Sequence, residues 1–142
     1  MTRAISLGLV LVSGGCAPLS AGEEYFARAM PVCNLISDEE RYAGQVVLVA
    51  GLYASTPHGG ELYSPECSRS VTLNGSSAAR RYERVDRVIK AAFIRNEAAR
   101  VPVAVSGVFQ PSVRWENGKR VVYANGPFIE ESSFVAARQP SR

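Results

Sequence analysis

Between Tyr42 and Tyr53 the chain reads Tyr-Ala-Gly-Gln-Val-Val-Leu-Val-Ala-Gly-Leu-Tyr, its longest apolar run outside the extreme N-terminus. β-Branched side chains at Val46, Val47 and Val49 lose rotamer freedom in a helix and suit a pleated strand. The run is also too short, and too closely bounded by Gly44 and Gly51, for a buried helix. The expectation is a buried strand, with Gly51 placed where a long strand bends, as at the corner of a small barrel.

Further strands follow from the punctuation. Ser55-Thr56-Pro57-His58-Gly59-Gly60 is turn chemistry, Glu61-Leu62-Tyr63 resumes an extended run, and Ser70 to Leu73 forms a third short strand closed by Asn74-Gly75. From about Ser76 to Arg100 the period changes. Ala78, Tyr82, Val85, Ile89, Ala92 and Phe93 recur at spacings that make one apolar stripe of a long helix. Arg80, Arg81, Arg84, Arg87, Lys90 and Arg95 occupy the other face, with Glu83 and Asp86 four residues before Arg87 and Lys90. This face is read as solvated and laced by ion pairs; the competing reading is a contact with an anionic membrane surface through Arg80, Arg81, Arg84 and Arg87.

Val101 to Val113 alternates as a fourth strand, with Pro102 tolerable only near its start or on an edge. Asn117-Gly118 between two β-like runs calls for a two-residue type I′ hairpin, with Glu116 opposite Lys119 and Trp115 opposite Arg120. Val121 to Ala124 is expected as the fifth strand, extended by Pro127 to Val135. Before the first strand, Glu23 to Met30 allows one or two helical turns. Val32 to Tyr42 reads as a short helix whose Ser37-Asp38-Glu39-Glu40 supplies a cap and an acidic first turn, not a catalytic carboxylate pair.

The N-terminus carries a targeting signal. Arg3, the apolar run Ala4 to Val12 and the small residues Ser13-Gly14-Gly15 make a secretory signal peptide, about half the length that a membrane-spanning helix needs. The small residues followed by Cys16 resemble the lipobox of bacterial lipoproteins, although Ser13 stands where that family usually has leucine. The resemblance implies cleavage before Cys16 and a diacylglyceryl group on its thiol. It further implies an envelope protein facing the periplasm, and Ala17 in place of an aspartate favours the outer over the inner membrane.

Cysteine counting agrees. The three cysteines are Cys16, Cys33 and Cys67, and acylation of Cys16 leaves an even pair in an oxidising compartment, hence a Cys33–Cys67 disulfide. Metal or redox chemistry is the rival reading. With no Cys-x-x-Cys and a lone histidine, His58, no zinc set is spelled out, and no cofactor or metal is expected.

A chain of 142 residues supports one domain. The segments expected are a signal peptide over 1–15, lipid anchor and tether over 16–30, a barrel domain over 31–136 and a frayed tail over 137–142. Strand, strand, strand, helix, strand, strand is the element order of the OB-fold, so the expected class is mainly β with one long helix: a five-stranded OB-fold-like barrel (β-β-β-α-β-β) preceded by a short N-terminal helix. Tyr42-Ala43-Gly44, Val47, Val49 and Gly51, then Gly60, Leu62-Tyr63 and Cys67, resemble a group of small, uncharacterised bacterial envelope proteins of OB-like type. That resemblance covers about Val32 to Leu73 and brings no catalytic residues.

Function follows by elimination. Nucleophile–base pairs, metal-ligand spacings and phosphate-binding glycine loops are all lacking, which argues against an enzyme. The net charge of +3 is too small to announce a nucleic-acid binder, and export removes the chain from nucleic acid. The expected function is a lipid-anchored, non-catalytic binding or accessory module of the cell envelope, with an envelope protein or glycan as partner. The alternatives are an OB-fold binder of single-stranded nucleic acid or oligosaccharide and, further off, a small hydrolase. OB-folds bind through strands two and three and the loops joining strands one–two and four–five. Those loops hold His58 and Trp115, and with the aromatics Tyr53, Tyr63 and Tyr123 these are the candidate ligand contacts, against the plain alternative of ordinary turn and surface residues.

Overall fold

The valine-rich run becomes an 11-residue strand in a computed structural model of the protein, in which residues 22–56, 59–74, 83–95, 101–124 and 126–140 are described. In chain order the elements are α1 (Glu23–Arg28), β1 (Met30–Pro31), α2 (Val32–Ser37), α3 (Glu39–Tyr42), β2 (Val46–Thr56), β3 (Gly59–Tyr63) and β4 (Val71–Leu73). There follow α4 (Glu83–Ile94), β5 (Val101–Gln110), β6 (Val113–Glu116), β7 (Lys119–Val122) and β8 (Phe128–Ala137).

Five strands close into a barrel in the order β2-β3-β4-β8-β5, with β5 returning to pair with β2. The β4–β8 pair is parallel and the other barrel pairs are antiparallel. Closure pairs each of these five strands with two neighbours and gives each an inside and an outside, while the two-residue β1 adds a short parallel pair to β2. Val47, Val49 and Tyr53 of β2 point into the core with Leu62, Val103, Val105, Phe109 and Phe134. The strand is not buried on both sides, as the sequence suggested, because Val46 is 75% exposed and Leu48 is half-buried.

Gly51 marks where β2 changes partner. β1 pairs with Val49 and Ala50, whereas β3 takes over the pairing from Leu52 onward. A Cβ at Gly51 would meet the Tyr63 carbonyl oxygen at 2.9 Å and Leu62 Cγ at 3.0 Å, so the close approach of β3 requires glycine. Pro102 sits at the start of β5, as a residue without an N–H must; its carbonyl accepts the Arg138 N–H at 2.9 Å.

The fifth barrel strand differs from the expectation. It is β8, whereas 119–122 belongs to the β6–β7 hairpin, a separate two-stranded sheet. Pro111-Ser112 separates β5 from β6, and Gly126-Pro127, with Gly126 at φ +71°, reverses the chain before β8 begins. β8 continues through Ala137, which is fully buried and so part of the barrel, not of a tail.

The segment expected as tether is also partly folded. α1 packs on β8, the Glu23 carboxylate pairs with the Arg138 guanidinium, and that guanidinium lies 4.0 Å from the centre of the Phe26 ring. Val32 to Tyr42 forms two short helices, broken at Asp38 (φ −137°, ψ 49°), whose side chain makes no cap hydrogen bond. α4 is described as a helix over Glu83–Ile94, and the rest of the expected span 76–100 lies outside the described residues or, at Arg95, in a turn. Val85, Ile89 and Ala92 are buried, with Val88 packed beside them. Phe93, assigned to the stripe from spacing, is 45% exposed, because about 100° per residue carries it to the stripe's margin.

Candidate functional site

Among the described residues, the β6–β7 hairpin exposes aromatic, apolar and charged side chains together. Asn117 and Gly118 both adopt positive φ, +50° and +74°, which is the backbone of a type I′ turn. The resulting register pairs Trp115 with Arg120 and Glu116 with Lys119, as the sequence predicts, and Val113 with Val122. Directly opposed residues share a face, so Val113, Trp115, Arg120 and Val122 form one surface. On it Trp115 is 72% and Val122 60% exposed, a large apolar area for a four-residue ribbon.

The opposite face is occupied. The Arg114 guanidinium lies 4.4 Å from the centre of the Tyr123 ring and 4.7 Å from that of Phe128, and these two rings meet edge to face. Arg114 Nε and Nη2 are buried with no hydrogen-bond partner among the described residues, so the aromatic faces provide the compensating electron density. The Tyr123 hydroxyl donates to the Glu116 carboxylate. That hydrogen bond, then desolvation and the Glu116 charge, hold the phenol pKa above its ordinary value of 10.0, opposed by the charge of Arg114.

At the hairpin's root, Ser112 donates its backbone N–H and its hydroxyl to Oε2 of Glu39, each at 2.7 Å. Arg69 Nη2 meets Glu39 Oε1 at 2.5 Å. The Tyr123 N–H donates to the Ser112 carbonyl at 2.8 Å and closes the root. Beside it, Glu40, Gly44, Gln110, Val113 and Trp115 line a cleft of ≈ 470 Å³ that is within the size range of small-ligand sites. Gly44 (φ +71°) leaves that wall open, since nothing lies within 4 Å of where its Cβ would be.

The candidate contacts chosen from sequence do not converge. Tyr53 is a correction: it is 3% exposed, its ring packed edge to face on Phe134 at 4.9 Å, because inward alternation along β2 turns it to the core. Tyr63 is half-buried and lines a different cleft, of ≈ 430 Å³, with Phe26, Gly51 and Pro102. His58 lies outside the described residues. The described β2–β3 pairing runs to Thr56 and Gly59, at the opposite end of β2 from the hairpin. Trp115 and Tyr123 do share the hairpin, on opposite faces.

Among the other sequence assignments, Cys33 and Cys67 are disulfide-bonded with Cα atoms 5.7 Å apart. Cys16, Arg80 and Arg81 lie outside the described residues, and for Arg84 only the helical backbone is described. Arg87 is exposed, and Asp86 pairs with Lys90 at 2.5 Å as the four-residue spacing predicts. Among the described residues no group of three or more His, Cys, Asp or Glu side chains is placed to hold a metal ion, and no helix is long and apolar enough to cross a membrane.

Sequence reasoning missed Arg114 and the Glu39–Arg69–Ser112 cluster. No local signal marks them: Glu39 resembled an ordinary acidic residue at a helix start, and its partners lie 30 and 73 positions away. No protein-family model, curated protein or solved structure matches the chain.

Proposed function

We propose that this protein is a lipid-anchored, non-catalytic binding module of the bacterial cell envelope, built on an OB-type barrel, with the β6–β7 hairpin as its binding element. The strand order β2-β3-β4-β8-β5 with a parallel β4–β8 pair supports the OB assignment, since it joins the third barrel strand to the fifth and the fourth back to the first. In that scheme the hairpin belongs to the loop between barrel strands four and five, one of the loops through which OB-folds bind.

One observation carries the reading: the two ends of the barrel are equipped differently. Gly22, where the described domain begins, packs against Val135 and Ala136 near Pro102 and Arg138. The hairpin departs at the other end, after Gln110 and before Phe128. Along β5 this separation is roughly 25 Å at ~3.3 Å per residue. A lipid on Cys16 is only six residues from Gly22, a reach of roughly 20 Å at full extension. The anchor therefore holds one end toward the bilayer and presents Trp115 and its cleft away from it, toward the periplasm.

The ligand class that fits this surface is a saccharide of the envelope. An exposed indole offers a flat apolar face to a sugar ring, and Glu40, Gln110 and Arg120 supply polar groups around it. A single-stranded nucleic acid is the second reading, favoured by Trp115 beside Lys119 and Arg120, and opposed by export. Two experiments test the proposal. Metabolic labelling with a palmitate analogue is expected to mark the wild type and not Cys16→Ser; an unlabelled wild type removes the anchor. Trp115 is the sole tryptophan, so its fluorescence reports directly on titration with envelope oligosaccharides and with oligonucleotides. A saturable change with saccharide supports the reading, a change with oligonucleotide alone replaces it, and no change with either removes the hairpin as binding element.

A further inference from the structure

The chain of contacts that holds the hairpin root leads back to the disulfide. Glu39 opens α3 and binds Ser112 through one carboxylate oxygen and Arg69 through the other. Arg69 Nη2 also donates to Ser112 Oγ at 3.1 Å, so the three side chains form a closed triangle. Each corner comes from a different part of the fold: α3, the segment between β3 and β4, and the step from β5 into β6.

The segment bearing Arg69 belongs to no strand, and Cys67 fixes it two residues upstream. Cys33, its disulfide partner, lies on α2, which leads directly into α3 and Glu39. The covalent bond thus sets the separation of the two backbone segments that bring Arg69 to Glu39. A half-exposed arginine, with its side chain 47% accessible, does not by itself hold a loop against the entropy of its chain. The Glu39 side chain is only 12% exposed, so losing Arg69 removes a cationic partner from a shielded carboxylate and loosens its hold on Ser112. Ser112 in turn holds Tyr123, and the two residues are the feet of the hairpin.

We propose that the Cys33–Cys67 disulfide is a redox control on the hairpin, keeping the Trp115 face ordered when oxidised and releasing it when reduced. This rests on the hairpin being the binding element. Both cysteines are half-buried, packed at the margin of the core and not enclosed within it. The reductant is a dithiol. One of its thiolates attacks a disulfide sulfur, the other cysteine leaves as a thiolate and takes up a proton, and the reductant's second thiol resolves the mixed disulfide. Two electrons pass to the protein, which ends as the dithiol, and the reductant ends as a disulfide. A cleft of ≈ 390 Å³ beside Arg69, Glu39 and Ser112 gives the freed guanidinium room to move away.

The test follows backbone order in the full chain by NMR relaxation, together with Trp115 fluorescence anisotropy, before and after reduction by dithiothreitol. Amides of 113–122 are expected to fall from order parameters of about 0.85 to below roughly 0.6 while those of β5 and β8 stay rigid. Arg69→Ala, with the disulfide intact, is expected to loosen the same amides, and it covers the case in which the reduced chain unfolds. A hairpin that stays equally rigid in the reduced folded protein, or in oxidised Arg69→Ala, overturns the proposal. No ligand enters the measurement, so its failure leaves the saccharide titration to judge the binding reading separately.

Discussion

Gly60 lies beneath the ring of Tyr53, so close that a Cβ on Gly60 would come within 2.6 Å of Tyr53 Cε2 and 3.3 Å of its hydroxyl oxygen. The two are diagonal neighbours across the β2–β3 ladder, where Tyr53 pairs with Leu62 and Ser55 with Gly60. The same ring is packed edge to face on Phe134, with ring centres 4.9 Å apart. Gly60→Ala is therefore expected to destabilise the barrel by about 1–3 kcal/mol through overpacking, read from the urea midpoint. Tyr53→Leu in the same chain should restore part of that loss; additive effects of the two substitutions would show that the ring is not the obstacle.

Gly118 is a second glycine that its position demands, for a different reason. At φ +74° it has open space around it, so any side chain there meets backbone strain and no clash. Gly118→Ala is expected to cost about 1–2 kcal/mol, confined to the hairpin. Because the ribbon stands apart from the barrel sheet, the global unfolding midpoint should hardly move while Trp115 fluorescence anisotropy falls. A large shift of the midpoint with unchanged anisotropy would contradict this separation.

The disulfide closes a loop spanning 34 positions. Its removal is expected to lower stability by roughly 2–5 kcal/mol, mainly by freeing the unfolded chain. Urea unfolding of the wild type and of Cys33→Ser/Cys67→Ser measures this. Equal stability of the two proteins would mean that the barrel alone pre-orders the loop.

Tyr123 gives the hairpin a pH dependence at the alkaline end. Its phenol is held above the usual 10.0 by donation to Glu116, so the folded state binds the proton more tightly than the unfolded chain does. The contribution to stability is complete below about pH 10 and is lost as pH rises through the folded-state value. Ultraviolet titration of the wild type against Tyr123→Phe should show the Tyr123 phenol ionising above its ordinary value, and Glu116→Ala should bring it down. An unchanged titration in that variant would remove the hydrogen bond as the cause.

Local rules reached far in this chain because their causes are local. The Asn117-Gly118 pair specifies its own turn and hence the register of Trp115 with Arg120, since positive φ at two successive positions is a property of those residues alone. Asp86–Lys90 is fixed by helical spacing, and the β-branched run Val46, Val47 and Val49 marks a strand. What alternation does not tell is how a strand is shared between neighbours. Thus Val121 to Ala124 looked like a barrel strand, and only closure of the sheet, with β8 set between β4 and β5, assigned that place to Phe128–Ala137 and left the hairpin outside. Tyr53 passed from candidate ligand contact to core residue for the same reason: the inside of a closed barrel is inaccessible however suitable the side chain. Glu39, Arg69 and Ser112 meet only because three distant segments converge at the hairpin root, a proximity made by packing and by the Cys33–Cys67 bond. The sequence by itself determined the Asn117-Gly118 turn, the spacing of Asp86 and Lys90 and the pairing of Cys33 with Cys67, all governed by neighbouring backbone or by simple counting. The tertiary structure alone decided which strand closes the barrel and which side chains face solvent, because those depend on contacts between residues far apart in the chain.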